Sequence, residues 1–241
     1  MADFKNMRAT TISRADASID QGLRSYMLSV YNMMTIGLVI TAISARIMAS
    51  LTNNSPTFEQ AVYSSPLRFI IMCAPLCAVL FLSFNIQNLS TRTARTLFFI
   101  YSGLIGISLS SIFLFYTNTS ITQTFFITAA SFGSLSLYGY TTKRDLRPLG
   151  SFLFISTIGL LIANLISIFF NSSGLQFAIS IIGIILFAGL TAYDTQIIKE
   201  MYYEGDSGDA TGRKIVMGAL KLYLDFINMF LFLLHFLNNR D

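Results

Sequence analysis

The segment SIIGIILFAGL, residues 180–190, is apolar on every side and carries no charge. Strands of a membrane barrel alternate apolar and polar residues, so this run excludes a barrel and indicates a helix within a membrane. In both directions the apolar character continues, from Gln176 to about Tyr203. This is longer than the about 20 residues that a helix needs to cross the hydrocarbon core.

Six further apolar segments of similar length occur in the chain, so the sequence predicts an all-α membrane protein with seven transmembrane helices. The predicted spans are Met27–Leu51, Arg68–Asn88, Thr96–Tyr116, Ile121–Tyr140, Gly150–Phe170, Gln176–Tyr203 and Arg213–Phe236. Only 12% of the residues are charged, about half the share typical of soluble domains. We therefore predict a tail at 1–22, one helical domain at 23–237 and a short tail at 238–241.

The positions of Lys and Arg predict the orientation, because cytoplasmic loops carry an excess of them. Twelve lie on one predicted side, namely Lys5, Arg8, Arg14, Arg24, Arg92, Arg95, Lys143, Arg144, Arg147, Lys199, Arg213 and Lys214. The opposite side has Arg46, Arg68 and Arg240. The N-terminus is therefore expected in the cytoplasm, and the short loops favour a bacterial inner membrane. The net charge of +4 follows this pattern and does not indicate a nucleic-acid partner.

Ionisable residues inside a membrane are costly, so each is a candidate functional group. Asp194 lies about 14 Å from the end of predicted span six, and Asp225 about 18 Å into span seven, at 1.5 Å per residue. The two spans share a cytoplasmic loop, so the carboxyl groups are predicted to lie at similar depth and to be able to meet. Such a pair cannot ionise twice at low cost and is expected to titrate as a unit.

The same pair is a possible site for calcium, which prefers oxygen ligands, with Asn228, backbone carbonyls or water completing the shell. Two alternatives need no function. Asp225 could pair with Lys221, four residues earlier on the same helix face, and Asp194 could reach the membrane interface. No catalytic residue, cofactor or further metal site is predicted, since the one histidine, His235, has no neighbouring ligand. A retinal Schiff base at Lys221 is disfavoured because the chain has no Trp.

Four segments carry a family resemblance: GLIGISLSSIF at 103–113, SLYGYTTKRDL at 136–146, LFAGLTAYDTQIIKEMY at 186–202 and ALKLYLDFINMFLFLLHFL at 219–237. The chain resembles the transmembrane Bax inhibitor motif family, in its bacterial branch, over about residues 20 to 237. The resemblance implies a seven-helix bundle with the last helix at its centre. It also implies that Asp194 and Asp225 form a hydrogen-bonded, pH-responsive dyad that sets a calcium leak.

One feature departs from the family pattern. An arginine near the cytoplasmic end of helix two pairs with the helix-six aspartate in the family, and Asn88 occupies that position here. Arg92 and Arg95, one and two turns further on, are the nearest arginines. Either arginine reaches back, or gating depends on the dyad and Lys221.

Two functions remain open at this level. The first is a pH-sensitive calcium leak gated by protonation of the dyad, with calcium as the transported ion and no enzymatic activity. The second is a non-transporting scaffold in the lipid bilayer that restrains a membrane-anchored protease or another membrane partner, as some family members do. The sequence does not determine which protonation state is open.

Overall fold

The computed structural model describes residues 2–55, 57, 60, 62, 66–167, 169–170 and 172–238, with side chains except at 2–19, 67, 68 and 72. The described residues form helices and no strand. Seven long helices follow in order: α1 (Ala2–Asn54), α2 (Leu67–Asn85), α3 (Thr91–Leu109), α4 (Asn118–Thr141), α5 (Gly150–Ser167), α6 (Ser173–Glu200) and α7 (Gly208–Asn238). The connections contain short helical turns at Ile86–Asn88, Ile112–Phe115 and Arg147–Leu149.

Six described stretches are long and apolar enough to cross a membrane. They are Asp20–Asn54, Phe69–Asn88, Thr91–Phe115, Arg147–Ser167, Ser173–Glu200 and Gly208–Asn238. The predicted fourth span forms the helix α4 but is not among them, because Ser and Thr recur along it and lower its hydropathy. Even so, α4 packs against α6 and α7, two of the six.

Several helix ends differ from the predicted ones. α1 begins at Ala2, so the described part of the predicted tail, residues 2–22, is helical, and α7 begins at Gly208 rather than at Arg213. α3 itself ends at Leu109, and the predicted third span continues through the short helix Ile112–Phe115, so that Thr91–Phe115 forms one membrane-length stretch. The end of α3 follows from Ser110, whose hydroxyl donates to the Ile107 carbonyl and competes there with the helical backbone. Of the predicted tail at 238–241, only Asn238 lies within the described residues.

Serine and threonine side chains fix the starts of three helices. Each accepts a hydrogen bond from the backbone N–H three residues later, which is the usual cap of a helix N-terminus. Ser90 caps α3, Thr117 caps α4 and Ser172 caps α6. These positions end the connecting loops and set where the neighbouring helices turn back.

α7 is the most enclosed helix of the bundle. It packs against α1, α3, α4 and α6, whereas α2 packs mainly on α3 and α5 on α6. In its 18-residue apolar stretch, 61% of the residues are buried inside the protein, compared with 11% in the corresponding stretch that contains α5. The ring of Tyr223 on α7 lies fully buried against the edges of Phe98 and Tyr101 from α3. Tyr223 and Asp225 of α7 are therefore held within protein rather than facing lipid.

Glycine lets the helices around α7 approach closely. A Cβ atom on Gly139 of α4 would collide with the backbone carbonyl of Ala192 on α6. A backbone atom cannot move aside as a flexible side chain can, so this contact requires glycine. The close approach of Gly139 to Ala192 holds α4 against α6 at a position two residues before Asp194.

Candidate functional site

α6 and α7 run antiparallel from the loop that joins them, and their contacts fix the depth of the two acids. Lys214 Nζ donates to the Met201 carbonyl at 2.8 Å, and further in, Lys221 Nζ donates to Asp194 Oδ1 at 3.0 Å. Lys221 therefore lies at the level of Asp194. Asp225, four residues further along α7, lies one helical turn deeper, about 6 Å at 1.5 Å per residue.

Asp194 lies inside the bundle and does not reach the interface. The residue is only 8% exposed, and its side chain forms an ion pair with Lys221, whose side chain is 33% exposed. Lys221 thus bonds across to α6 and not to Asp225 on its own helix. The alternative in which Lys221 merely neutralises Asp225 does not describe this arrangement.

Asp225 is more deeply buried and lacks a comparable partner. The residue is 4% exposed, and no described residue donates a hydrogen bond to its Oδ2 atom. It interacts electrostatically with both Asp194 and Lys221. No hydrogen bond joins the two carboxyl groups, so an ion pair stands where the resemblance implies a hydrogen-bonded dyad. The site therefore contains two carboxyl groups and one ammonium group.

A chain of hydroxyl groups borders this site. Tyr31 of α1 bonds to Ser136 of α4 at 2.5 Å, and Ser136 bonds to Thr195 of α6 at 3.0 Å. Thr195 directly follows Asp194 in the sequence. The hydroxyls thus connect three helices beside the acids without adding charge. Sequence reasoning missed them because Ser and Thr are so frequent in these helices that no single one stands out.

The other predicted site residues lie apart from the acids. Asn228 donates its amide to the Leu224 carbonyl of its own helix. Asn88, Arg92 and Arg95 are exposed, and none of them forms a hydrogen bond or ion pair with Asp194 or Asp225 among the described residues. The pairing of an arginine with the helix-six aspartate, which the family pattern implies, is therefore not formed by these residues.

Basic side chains at the loop end of the bundle bind helix C-termini, where unpaired carbonyls carry partial negative charge. Lys199 Nζ donates to the Tyr140 carbonyl at the end of α4, at 2.9 Å. Lys214 donates to Met201 at the end of α6, and also pairs with Asp206 at 2.5 Å. These contacts tie the ends of α4, α6 and α7 together at the loop end of the bundle.

Gln196, two residues after Asp194, holds the loop between α4 and α5. Its Oε1 accepts from the Leu146 N–H at 2.7 Å, and its Nε2 donates to the Arg144 carbonyl at 2.8 Å. In the same loop, a hydrogen bond from Arg147 lowers the pKa of Asp145. Gln196 was not predicted from the sequence, where its one signal is a polar side chain on the buried face of α6.

The described residues contain no cluster of three or more His, Cys, Asp or Glu side chains that could hold a metal. A calcium ion at Asp194 and Asp225 would therefore take its remaining ligands from neutral oxygens or water, as hard cations readily do.

The comparisons with known proteins agree over almost the whole chain. Residues 23–241 match the family model Bax1-I, described as inhibitor of apoptosis-promoting Bax1. An uncharacterized protein of Rickettsia prowazekii is 45% identical over 241 residues, covering 100% of this chain and 99% of the relative. The inner membrane protein YbhL of Escherichia coli is 46% identical over 222 residues, covering 91% of this chain and 93% of the relative.

Proposed function

The chain belongs to the Bax1-I family, and from this premise we propose that it is a pH-sensitive calcium leak, gated by protonation of Asp194 and Asp225. The family resemblance predicted from the sequence is confirmed by the match. It is a membrane protein, and its likeness to YbhL supports a place in the inner membrane. The calcium leak and its gating go beyond these findings and rest on the site.

One observation carries the proposal: the ion pair of Lys221 with Asp194 bridges α6 and α7 inside the bundle. Buried charges are costly unless they are paired, so such a bridge holds the two helices together only while both partners are charged. Protonation of Asp194 removes one charge and leaves the ammonium group without its partner. We therefore expect acid to loosen the contact between α6 and α7 and to open the leak.

Few charged groups of the described part of the chain face the site, which makes it responsive to single protons. Lys221 and Asp225 are the charged groups that interact with Asp194, and both come from α7. From α4 and α1 come the neutral hydroxyls of Ser136 and Tyr31. With one ammonium and two carboxyl groups, the net charge is −1, 0 or +1 as the carboxyl groups take up no, one or two protons, so each proton changes it.

In the proposed leak, Asp225 provides the oxygen atom that contacts calcium. Its buried Oδ2 atom has no donor among the described residues, so a cation can approach this oxygen without displacing a hydrogen bond. Calcium favours carboxylate and carbonyl oxygens. In the proposal Asp225 is therefore the oxygen that a passing calcium ion contacts, and Asp194 is the group whose pairing sets access to it.

The proposed orientation in the membrane follows from the positions of Lys and Arg. α4 is taken as a seventh span, because it packs along α6 and α7, which are both long enough to cross. The loop between α6 and α7 and the N-terminal end of α1 then lie in the cytoplasm, on the side that is rich in Lys and Arg. The proposal assigns no enzymatic activity and no bound cofactor.

The experiment is calcium influx into proteoliposomes that contain a fluorescent indicator, at pH 6, 7 and 8. Wild type should leak faster at pH 6 than at pH 8. Asp194→Asn, which mimics the protonated state, should leak at pH 8 as wild type does at pH 6. Asp225→Asn should leak less at every pH because the calcium contact is lost.

A wild-type flux equal to that of empty liposomes at every pH would overturn the leak. In that case the scaffold function becomes the stronger candidate, and a stoichiometric membrane-anchored protease or other membrane protein should co-purify in mild detergent. Asp194→Asn and Asp225→Asn would then leave that complex unchanged, since neither side chain reaches the surface.

A further inference from the structure

A large lateral cleft lies between α1 and α4, separate from the two acids. Its volume is about 670 Å³, within the roughly 300–1,000 Å³ typical of ligand pockets. Leu28, Tyr31 and Leu38 line one wall from α1, Phe125 and Gly133 line the other from α4, and Phe226 of α7 forms the floor. The surface is therefore mainly apolar.

The cleft is longer than the hydrocarbon depth of one leaflet of a bilayer. From Arg24 at one end to Leu38 near the other, α1 rises about 21 Å at 1.5 Å per residue. Half of a typical hydrocarbon core is about 15 Å. An acyl chain that enters at the Arg24 end can therefore lie along the cleft with its terminal methyl near the middle of the bundle.

Arg24 gives the cleft a charge at one end only. It lines the opening, is exposed, and forms no hydrogen bond or ion pair with the described residues, including Asp20 one turn earlier. The end of α4 lies at the same opening, where Lys199 stacks over the Tyr140 ring at 5.2 Å. Basic pockets between helices at the cytoplasmic surface bind anionic lipid headgroups.

We propose that this cleft is a binding site for one anionic phospholipid, with an acyl chain between α1 and α4 and its phosphate at Arg24. The observation that favours it is the combination of a long, mainly apolar cleft with a guanidinium at its mouth that has no partner among the described residues. The bound chain would contact Tyr31, the first of the hydroxyls that lead through Ser136 to Thr195. The proposal concerns lipid binding and does not depend on a calcium leak.

Gly133 provides a way to fill the cleft without disturbing the fold. A Cβ atom there meets no atom within 4 Å, and the same holds for Gly159 on α5. Gly133→Leu therefore places a side chain in the cleft, and Gly159→Leu is a matched control on another helix. Arg24→Gln removes the charge, and Arg144→Gln is its control, since the Arg144 side chain does not line the cleft.

The test is native mass spectrometry of the detergent-purified protein with phosphatidylglycerol or phosphatidylethanolamine. Wild type should bind one phosphatidylglycerol about five-fold more tightly than phosphatidylethanolamine, which is the gain expected from one arginine at an anionic headgroup. Arg24→Gln should remove this preference, Gly133→Leu should reduce binding of both lipids, and both controls should match wild type. Equal retention of the two lipids by wild type, or unchanged binding by Gly133→Leu, would overturn the proposal.

A second measurement covers the case in which Gly133→Leu does not fold. The chain contains no Trp, so a single Trp can report on lipid contact. In nanodiscs, brominated phosphatidylglycerol should quench Leu28→Trp in the cleft more than brominated phosphatidylethanolamine does. Ile155→Trp, on the exposed face of α5, should show no preference. The same response from both positions would contradict a specific site.

Discussion

Replacing Lys221 by Met removes the ammonium group of the ion pair while keeping an unbranched side chain of similar length. Hydrogen bonds to charged groups contribute about 1.5–3 kcal/mol. Because a third of the lysine side chain is exposed, solvent screening places this bond in the lower part of that range, at about 1.5–2 kcal/mol. If the bond holds α6 and α7 in a closed arrangement, its loss shifts the closed-to-open equilibrium by roughly 10- to 30-fold.

The assay is the initial rate of calcium influx into proteoliposomes at pH 8, where the ion pair is expected to be intact in wild type. Lys221→Met should increase that rate about 10- to 30-fold and should reduce its change between pH 8 and pH 6. Lys214→Met is the matched control, because Lys214 also pairs with an aspartate, Asp206, but at the loop end. A Lys221→Met rate equal to wild type, or an equal increase in Lys214→Met, would refute the reasoning.

Two further predictions concern the structure around the site. Gly139→Val should destabilise the detergent-purified protein by about 1–3 kcal/mol through overpacking against α6, seen as a lower midpoint of thermal unfolding. Gly133→Val, on the open side of the same helix, should have little effect, and equal losses would contradict the close approach. Gln196→Ala removes two hydrogen bonds, together about 2 kcal/mol, and should speed tryptic cleavage of the loop at 142–149 about 30-fold. The control is Gln123→Ala, at an exposed position without such bonds, which should leave the cleavage rate unchanged. Equal cleavage of both variants would show that Gln196 does not hold the loop.

The sequence predicted the helices and the location of the acids because both follow from local information. Apolar length defines the membrane helices, and the short loop between α6 and α7 requires them to run antiparallel. Similar distances from that loop, about 14 Å and about 18 Å at 1.5 Å per residue, then predict Asp194 and Asp225 at similar depth. The third span was predicted in the same way, but the break within it was not, because it depends on the side-chain hydrogen bond of Ser110 to the Ile107 carbonyl.

The partner of Lys221 could not be predicted from spacing. Asp225 lies four residues away on the same helix face, and Asp194 lies across on α6, so both are within reach of a long, flexible side chain. The register of α6 against α7, set by packing along their whole length, places the ammonium group at Asp194. The cleft between α1 and α4 could not be predicted from the sequence either, because it depends on how two helices that are distant in sequence diverge.

The most direct test is a double-mutant cycle on the ion pair, with calcium influx measured for wild type, Lys221→Met, Asp194→Asn and the double variant at pH 8 and pH 6. If the bond between these side chains closes the leak, each single variant already loses it, so the double variant should leak no faster than either. All three should also respond little to pH. Increases that multiply in the double variant, or a pH response that survives in it, would contradict gating by this ion pair.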